Sequence, residues 1–256
     1  MATIQGQGIR TQEKEDAFQG LFRMNLKVHS SLRYPLAKYH HFDLNAGSGR
    51  NDIAGCDGSP VVFLKVVSGL GVSNFAAHFV DRDETATTGL SNLLSEQWSE
   101  QLSRCTIYNG ENREFVLAIP DLVRHFGSRE PKYDLGMIVC DPNGTDIPWL
   151  ELRHVSIACP RLDFLINYNL TQHKRDRGAG YKPDLVLTDH ILLLNKRYWL
   201  IMDSKPTSSY EWTILVGRNY YMGDWKKMRF YDLKSREGEE MLRRSLSRNE
   251  REWPLF

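Results

Sequence analysis

The chain has 256 residues, of which 41% are hydrophobic and 25% charged, and its net charge is +1. This length suits one large α/β domain with a sizeable core, and the near-neutral charge means that any basic surface must be local. The four cysteines form no Cys-x-x-Cys pair, which argues against a metal site or a disulfide framework. With neither a signal-peptide pattern nor a membrane-spanning apolar run in the sequence, we expect a cytoplasmic protein that does not enter a membrane.

Predicted strands and helices alternate as far as residue 168. Residues 1–20 are polar and expected to be loose, and 21–38 form either a helix or an irregular lead-in. Strands are predicted at 40–44, 75–81, 105–108, 135–140 and 162–168, with helices at 59–68, 84–101, 113–126 and 149–158. This alternation predicts an α/β fold with a doubly wound, Rossmann-like parallel sheet.

The pattern changes after residue 170. A polar loop rich in Lys, Arg and Gly covers 171–181, and two apolar pieces of undecided type follow at 184–194 and 198–202. A late strand is predicted at 211–217. The charged segment 233–256 is predicted to be helical at first and loose at its end.

Acidic and small residues follow the first predicted strands. Asp43 is followed directly by a turn of small residues, where a ligand can approach the backbone closely and an acid can pair with an amino group. Asp81 ends the second strand, where acids commonly accept ribose hydroxyls, although Asp81 or Asp83 could instead cap the next helix. The third strand ends in Asn109 to Asn112, whose side chains could reach an adenine edge. The predicted cofactor-binding residues are Asp43, Asn45, Ala46, Gly47, Gly49, Asp81 and Asn112.

Two motifs carry a resemblance to known families. Residues 42–49, Phe-Asp-Leu-Asn-Ala-Gly-Ser-Gly, resemble motif I of class I S-adenosylmethionine (SAM)-dependent methyltransferases, in the form common among enzymes that act on DNA and RNA bases. Gly58-Ser59-Pro60 and Asp141-Pro142-x-Gly144 resemble the three-Cys-motif partner proteins, which are bacterial and phage proteins with a methyltransferase-like fold. In that family the Gly-Ser-Pro sequence opens the helix after the glycine loop.

The resemblance covers about residues 27–169 and implies SAM as the cofactor. SAM carries an amino group and a carboxylate, which suit an acid beside bare backbone N–H groups. We further predict a class I methyltransferase-like domain over residues 21–220, preceded by a flexible N-terminus at 1–20 and followed by a C-terminal charged extension at 221–256.

The fourth strand leads into Asp141-Pro142-Asn143-Gly144. Methyltransferases that act on adenine or cytosine amines carry Asp/Asn-Pro-Pro-Tyr/Phe there, by resemblance. An exocyclic amine is a poor nucleophile, and acceptors for its protons localise the lone pair toward the methyl group. Asp141, Pro142 and Asn143 are therefore the predicted catalytic residues. The aromatic residue that would stack on the base is missing, and Trp149 either supplies it or belongs to the core.

A nucleic-acid substrate is predicted from residues beyond the fifth strand. That strand ends in Asn167-Tyr168-Asn169, which we expect to lie next to Asp141. Tyr168 either lines the substrate pocket or caps the strand. Basic residues in the following loop could contact phosphates. The predicted substrate-binding residues are Tyr168, Lys174, Arg175 and Arg177.

The predicted function is methyl transfer to an exocyclic amine of DNA or RNA, with adenine N6 favoured. One alternative is a non-catalytic module that binds SAM or docks a protein partner. Another is a PD-(D/E)xK nuclease, in which Asp184 and Asp203 would bind magnesium and Lys205 would position the attacking water. Asp-Pro-Asn-Gly is also a common turn sequence, so Asp141 could be only a turn residue.

Overall fold

The computed structural model describes residues 9–32, 36–51, 55–128, 134–142, 144, 146–172, 187–202, 212–220 and 225–245. The chain divides into two compact units, Met1–Val139 and Cys140–Phe256. No helix of the described residues is long and apolar enough to cross a membrane.

The first unit contains four parallel strands, a short antiparallel ribbon and five helices in its described part. Its parallel strands are β1 (Tyr39–Asp43), β4 (Phe75–Asp81), β5 (Cys105–Asn109) and β6 (Leu135–Cys140), and its ribbon is β2 (Arg50–Asn51) with β3 (Cys56–Asp57). Its helices are α1 (Ile9–Ser30), α2 (Ser59–Leu70), α3 (Glu84–Gln97), α4 (Ser99–Leu102) and α5 (Asn112–Phe126).

The strand order in this unit is β5-β4-β1-β6. Asp43 at the end of β1 is opposite Phe79 of β4 on one side and Val139 of β6 on the other. The chain therefore leaves β1 in one direction and returns to its other side, and right-handed crossovers put the connecting helices on opposite faces. This is the predicted doubly wound α/β arrangement, which is confirmed, and its order reverses at β1.

Local sequence explains why these elements form where they do. Every residue of β1 and β6 is buried, as expected for parallel strands that are covered on both faces. Helix α2 has Pro60 in its first turn and ends at Gly71, whose φ of 65° suits only glycine without strain. The predicted strands and helices of residues 40–168 are present with ends that differ by a few residues, except that the helix predicted at 84–101 is divided at Trp98 into α3 and α4.

Helix α1 differs from the sequence prediction. The polar sequence predicts a loose segment up to about residue 20, whereas the structure has a helix from Ile9 to Ser30. Phe18, Leu21 and Phe22 are buried together with Leu26, at the spacing of one helical face. The charged residues between them lower the mean hydropathy of the segment. The apolar stripe is therefore not evident from the composition of the segment.

The second unit contains an antiparallel group of strands in the order β7-β9-β8-β10. These are β7 (Leu162–Tyr168), β8 (Tyr198–Met202), β9 (Thr213–Arg218) and β10 (Phe230–Asp232), with helices α6 (Trp149–Ala158), α7 (Leu187–Leu193) and α8 (Arg236–Ser245). Of the two pieces of undecided type, the first is thus largely helical in its described part and the second is a strand. A Cβ at Gly217 of β9 would lie 2.6 Å from the Trp199 ring of β8, so β9 needs glycine at this position.

A buried charged cluster lies inside the second unit and consists of Asp163, Lys196 and Arg218. The Arg218 guanidinium donates to the Asp163 carboxylate at 2.6 Å, and both side chains are 1% exposed. The Lys196 ammonium donates to the Pro160 carbonyl at 3.0 Å. Burial lowers the pKa of Lys196 to about 8, against the opposing effect of the Asp163 charge.

Buried histidines are a feature of the first unit. The His41 ring stacks on Phe63 at 3.8 Å between centroids, and neither of its ring nitrogens has a hydrogen-bond partner among the described residues. Burial lowers the pKa of His41 to about 3, and it lowers the pKa of His78 to about 3 as well. Both rings are therefore neutral in the folded protein at any pH near 7.

We expect the protein to lose stability in mild acid because of these two histidines. Their folded pKa values lie below the unfolded value near 6.5, so the unfolded chain binds more protons and stability falls between pH 6.5 and pH 3. At pH 5 each histidine is expected to reduce the free energy of unfolding by about 2 kcal/mol relative to pH 8. Urea denaturation at the two pH values measures this loss.

A variant pair isolates the contribution of His41. His41→Phe preserves the stacking on Phe63 and removes one titrating group, so it should lower the pH dependence of the urea midpoint by a third to a half. The exposed His154 provides the control, since His154→Gln should leave that dependence as it is in the wild type. Equal pH dependence in wild type and His41→Phe would contradict the assignment.

Candidate functional site

The glycine loop, residues 44–49, follows β1 and is hydrogen-bonded to both neighbouring strands of the first unit. The Leu44 N–H donates to the Val139 carbonyl of β6 at 2.9 Å, and the Ala46 N–H donates to the Val80 carbonyl of β4 at 2.9 Å. The loop therefore lies at the carboxyl ends of these strands, where their order reverses. Ligands of doubly wound sheets bind at this place.

The two glycines of this loop have different surroundings. Gly47 has a φ of +60°, and a Cβ added there would meet no atom within 4 Å. Gly49 has a φ of +77°, but its Cβ would lie 2.7 Å from Leu90 and 3.0 Å from Leu93 of α3. Gly49 is thus required for packing, whereas Gly47 presents bare backbone to open space.

Gly58 closes the same loop from the other side. Its N–H donates to the Gly49 carbonyl at 2.8 Å, and a Cβ there would come within 2.9 Å of the Gly49 backbone. Gly58 is also the N-cap of α2, with Ser59 and Pro60 in the first turn. The Gly-Ser-Pro sequence therefore opens the helix that follows the glycine loop, as the resemblance implies.

Asp43 shapes the loop from inside. Its side chain is fully buried, and its carboxylate accepts a hydrogen bond from the Asn45 N–H at 3.2 Å. Such a contact is an Asx-type turn, which bends the backbone directly after the strand. The predicted contact of Asp43 with the amino group of a cofactor remains a prediction.

Asp81 faces the glycine loop, and Asp83 caps the next helix. One Asp81 oxygen accepts from the Gly47 N–H at 2.8 Å, and the other accepts from the Asp83 N–H at 3.0 Å. The Asp83 carboxylate accepts from the Thr85 N–H at 2.8 Å and is the N-cap of α3. The capping role is thus filled by Asp83. A carboxylate has about four acceptor positions, so Asp81 retains capacity for a ligand hydroxyl.

Asn109 ends β5 and begins the segment that was predicted to reach an adenine edge. Its amide donates to the Asp81 carbonyl at 3.3 Å and to the Arg82 carbonyl at 3.2 Å. It therefore joins the ends of β4 and β5, and its contact with an adenine edge remains a prediction. Asn112, which was predicted to reach an adenine edge, is the first residue of α5, and that role remains a prediction.

In the second unit, Asp141 is paired with a residue of β7. The Asn167 amide nitrogen donates to an Asp141 carboxylate oxygen at 2.7 Å, so these two residues lie next to each other as predicted. Pro142, the next residue in the sequence, is buried. Tyr168 is only 5% exposed at the end of β7, and its contact with a substrate remains a prediction.

The face of Trp149 is covered by another ring. Its indole stacks on His190 of α7 at 4.8 Å between centroids and an angle of 11°. Trp149 is 9% exposed, and burial lowers the pKa of His190, which keeps that ring neutral. This arrangement favours the core role of Trp149 over stacking on a base.

Several predicted residues lie outside the described part of the chain. Among the described residues, no group of three or more His, Cys, Asp or Glu is arranged to hold a metal ion. The predicted residues outside the described ranges are Asn143, Lys174, Arg175 and Arg177 of the methyltransferase hypothesis and Asp184, Asp203 and Lys205 of the nuclease hypothesis.

Comparison with known proteins gives a fold and no family. No family model and no curated protein sequence matches the chain. Protein LPL1258 of Legionella pneumophila is 8% identical, with 84% of this chain and 88% of that chain covered and a TM-score of 0.57. The human methyltransferase 10 domain containing protein is 8% identical, covering 80% and 83% of the two chains with a TM-score of 0.44.

A further similar structure is the METTL16 MTase domain, at 9% identity, 78% and 67% coverage and a TM-score of 0.43. At such identities the likeness concerns the fold alone. The Rossmann-like α/β fold itself follows from the strand order β5-β4-β1-β6. The resemblance to the three-Cys-motif partner proteins remains a prediction.

Proposed function

We propose that this chain is a SAM-dependent methyltransferase that binds its cofactor at the loop from Asp43 to Gly49. The observation that carries the proposal is the bare, left-handed backbone at Gly47, which faces open space beside the Asp81 carboxylate. A side chain at Gly47 would fill this space, and a nucleoside ligand needs the close approach that glycine allows. The proposed methyltransferase domain is residues 21–220, with a C-terminal extension at 221–256.

The proposed methyl acceptor is an exocyclic amine of a nucleic-acid base, with adenine N6 first. The proposal is supported by the resemblance of Asp141-Pro142 to the motif of amino-methyltransferases and by the orientation of the Asp141 carboxylate, which Asn167 holds at 2.7 Å. Lys174, Arg175 and Arg177 are the proposed phosphate contacts, and Tyr168 is the proposed pocket residue. DNA or RNA is thus the proposed partner.

The proposed chemistry needs little from the protein beyond positioning. When bound, SAM would supply a methyl group from its sulfonium sulfur to the amine nitrogen and would leave as the neutral thioether. Asp141 accepts a hydrogen bond from the amine, which localises the nitrogen lone pair, and it receives the released proton or passes it to water. Gly47 would hold the cofactor by close backbone approach, and Asp81 would accept hydrogen bonds from its hydroxyls.

Gly47→Ala should weaken SAM binding by at least tenfold. The added methyl group would occupy the open space in which the cofactor is proposed to lie. Isothermal titration of SAM into the purified full chain measures the affinity directly. Equal affinity in wild type and variant would refute the cofactor assignment.

Gly71→Ala is the matched control for this variant. Gly71 has a φ of +65° against +60° for Gly47, and neither position has an atom within 4 Å of an added Cβ. The two variants therefore carry similar backbone strain, of about 1–2 kcal/mol. Only Gly47 lies in the glycine loop, so only Gly47→Ala should lose affinity for SAM.

The substrate class follows from a labelling experiment. The protein is incubated with tritiated SAM and plasmid DNA, total RNA or cell protein, and each fraction is counted. Label in DNA or RNA supports the proposal, and label in protein alone moves the acceptor to a protein nitrogen. Tight SAM binding with no label in any fraction would favour the non-catalytic module.

A further inference from the structure

Asn167 is a buried amide whose position is fixed by the strands around it. It lies on β7 opposite Ile214 of β9, and every residue of β7 is buried. The side chain is 7% exposed, and its amide donates to Asp141 at 2.7 Å. An ionised carboxylate only accepts hydrogen bonds, so the NH₂ end of the amide must face Asp141.

The other end of this amide has no compensating contact. The Asn167 carbonyl oxygen is buried, and no described residue donates a hydrogen bond to it. A buried acceptor left without a partner is unfavourable, and an apolar side chain of the same shape would avoid that penalty. The hydrogen bond to Asp141 is therefore what this position gains from an asparagine.

We infer that Asn167 is a positioning residue that fixes the Asp141 carboxylate as the acceptor for the amine of the substrate. The inference rests on the proposed methyltransferase function. Asn167 touches Asp141 and acts through it. A charge-assisted hydrogen bond from the amide removes rotational freedom from the carboxylate and keeps it oriented to accept a hydrogen bond from the amine.

The neighbouring Asn169 provides a matched control. It is also buried, at 3% exposed, but its side-chain oxygen accepts from the Gln172 N–H at 2.9 Å. Asn169→Asp keeps that acceptor, so it tests the effect of a new carboxylate near the end of the same strand. In Asn167→Asp the side chain keeps the shape of asparagine but loses the NH₂ donor. The new carboxylate then lies against the carboxylate of Asp141.

The kinetic test compares the full chain and these variants with tritiated SAM and the fraction that the wild type labels. Asn167→Asp and Asn167→Ala should each lower kcat at pH 7 by at least tenfold, with the KM for SAM changed less than twofold. In Asn167→Asp the acid limb of kcat against pH should move up by about one unit or more, since adjacent carboxylates retain a proton. Asn169→Asp should keep the wild-type profile.

A spectroscopic test is independent of activity. The Asn167 side-chain NH₂ should give a split pair of proton resonances in a ¹⁵N correlation spectrum, with one proton shifted downfield by the carboxylate. Asp141→Ala should remove that shift, and Asp146→Ala should not. An unchanged Asn167 signal in Asp141→Ala, or wild-type kcat and pH profile in Asn167→Asp, would overturn the inference.

The two failures are distinguishable. Wild-type protein that labels no fraction overturns the proposed function and the role of Asn167 in it, even if the amide signal reports the contact. Wild-type protein that labels nucleic acid while Asn167→Asp labels it equally well overturns only the inference about Asn167.

Discussion

Asp141→Ala is expected to reduce methyl transfer by about 100-fold to 10,000-fold, the usual range for loss of a general base. The variant removes the acceptor for the amine proton, so the nitrogen lone pair stays delocalised into the ring. It leaves the glycine loop and Asp81 unaltered, and we expect SAM affinity to stay within about twofold of the wild type. Initial rates with tritiated SAM and isothermal titration measure the two quantities.

Asp146→Ala is the control for this loss of charge. Asp146 is exposed and follows Asp141 by five residues, so its removal changes the net charge equally. It should retain the wild-type rate. Turnover in Asp141→Ala equal to that of the wild type would mean that Asp141 is only a turn residue.

Asp163→Leu is expected to lower the free energy of unfolding by about 3–5 kcal/mol, the range measured when one partner of a buried ion pair is removed. Arg218 would remain 1% exposed with no carboxylate to accept its hydrogen bond. An arginine cannot release its proton in a protein, so the charge would persist. Lys196 would also lose the favourable charge of Asp163.

The double variant Asp163→Leu/Arg218→Met tests whether charge is the cause. It removes both charges and keeps the volume, so most of the lost stability should return. Arg218 also lies over the rings of Tyr220 and Trp225 at 5.0 and 5.1 Å, and Met retains part of that packing. Urea denaturation of the wild type and both variants gives the comparison. A double variant no more stable than Asp163→Leu would contradict the electrostatic explanation.

The strands and helices of residues 40–168 were predictable because their signals are local. The run Leu135–Cys140 is continuously apolar, and it is a fully buried strand. Helix α1 was not predicted in its first half because its apolar stripe is narrow and its remaining residues are polar. Its stability comes from packing of Phe18 and Phe22 in the core, which the composition of the segment does not reveal.

Parts of the candidate site were predictable as well. The sequence placed small residues after Asp43 and an acid at the end of the second strand, since both follow strand ends. It could not separate Asp81 from Asp83 as the helix cap, because both precede the helix within a few residues. Hydrogen-bond geometry separates them: Asp83 bonds the first turn of α3, and Asp81 bonds Gly47.

The sequence by itself determined the alternation of elements and the glycine loop, because periodicity and strand ends are properties of short segments. The adjacency of Asp141 and Asn167 was predicted from their places at successive strand ends. Only the tertiary structure decided that β9 runs antiparallel between β7 and β8, that Gly49 is needed for packing while Gly47 borders open space, and that Asp163 and Arg218 pair inside the second unit. These features depend on which distant segments meet, and the free energy of such contacts is set by burial and geometry that no local pattern encodes.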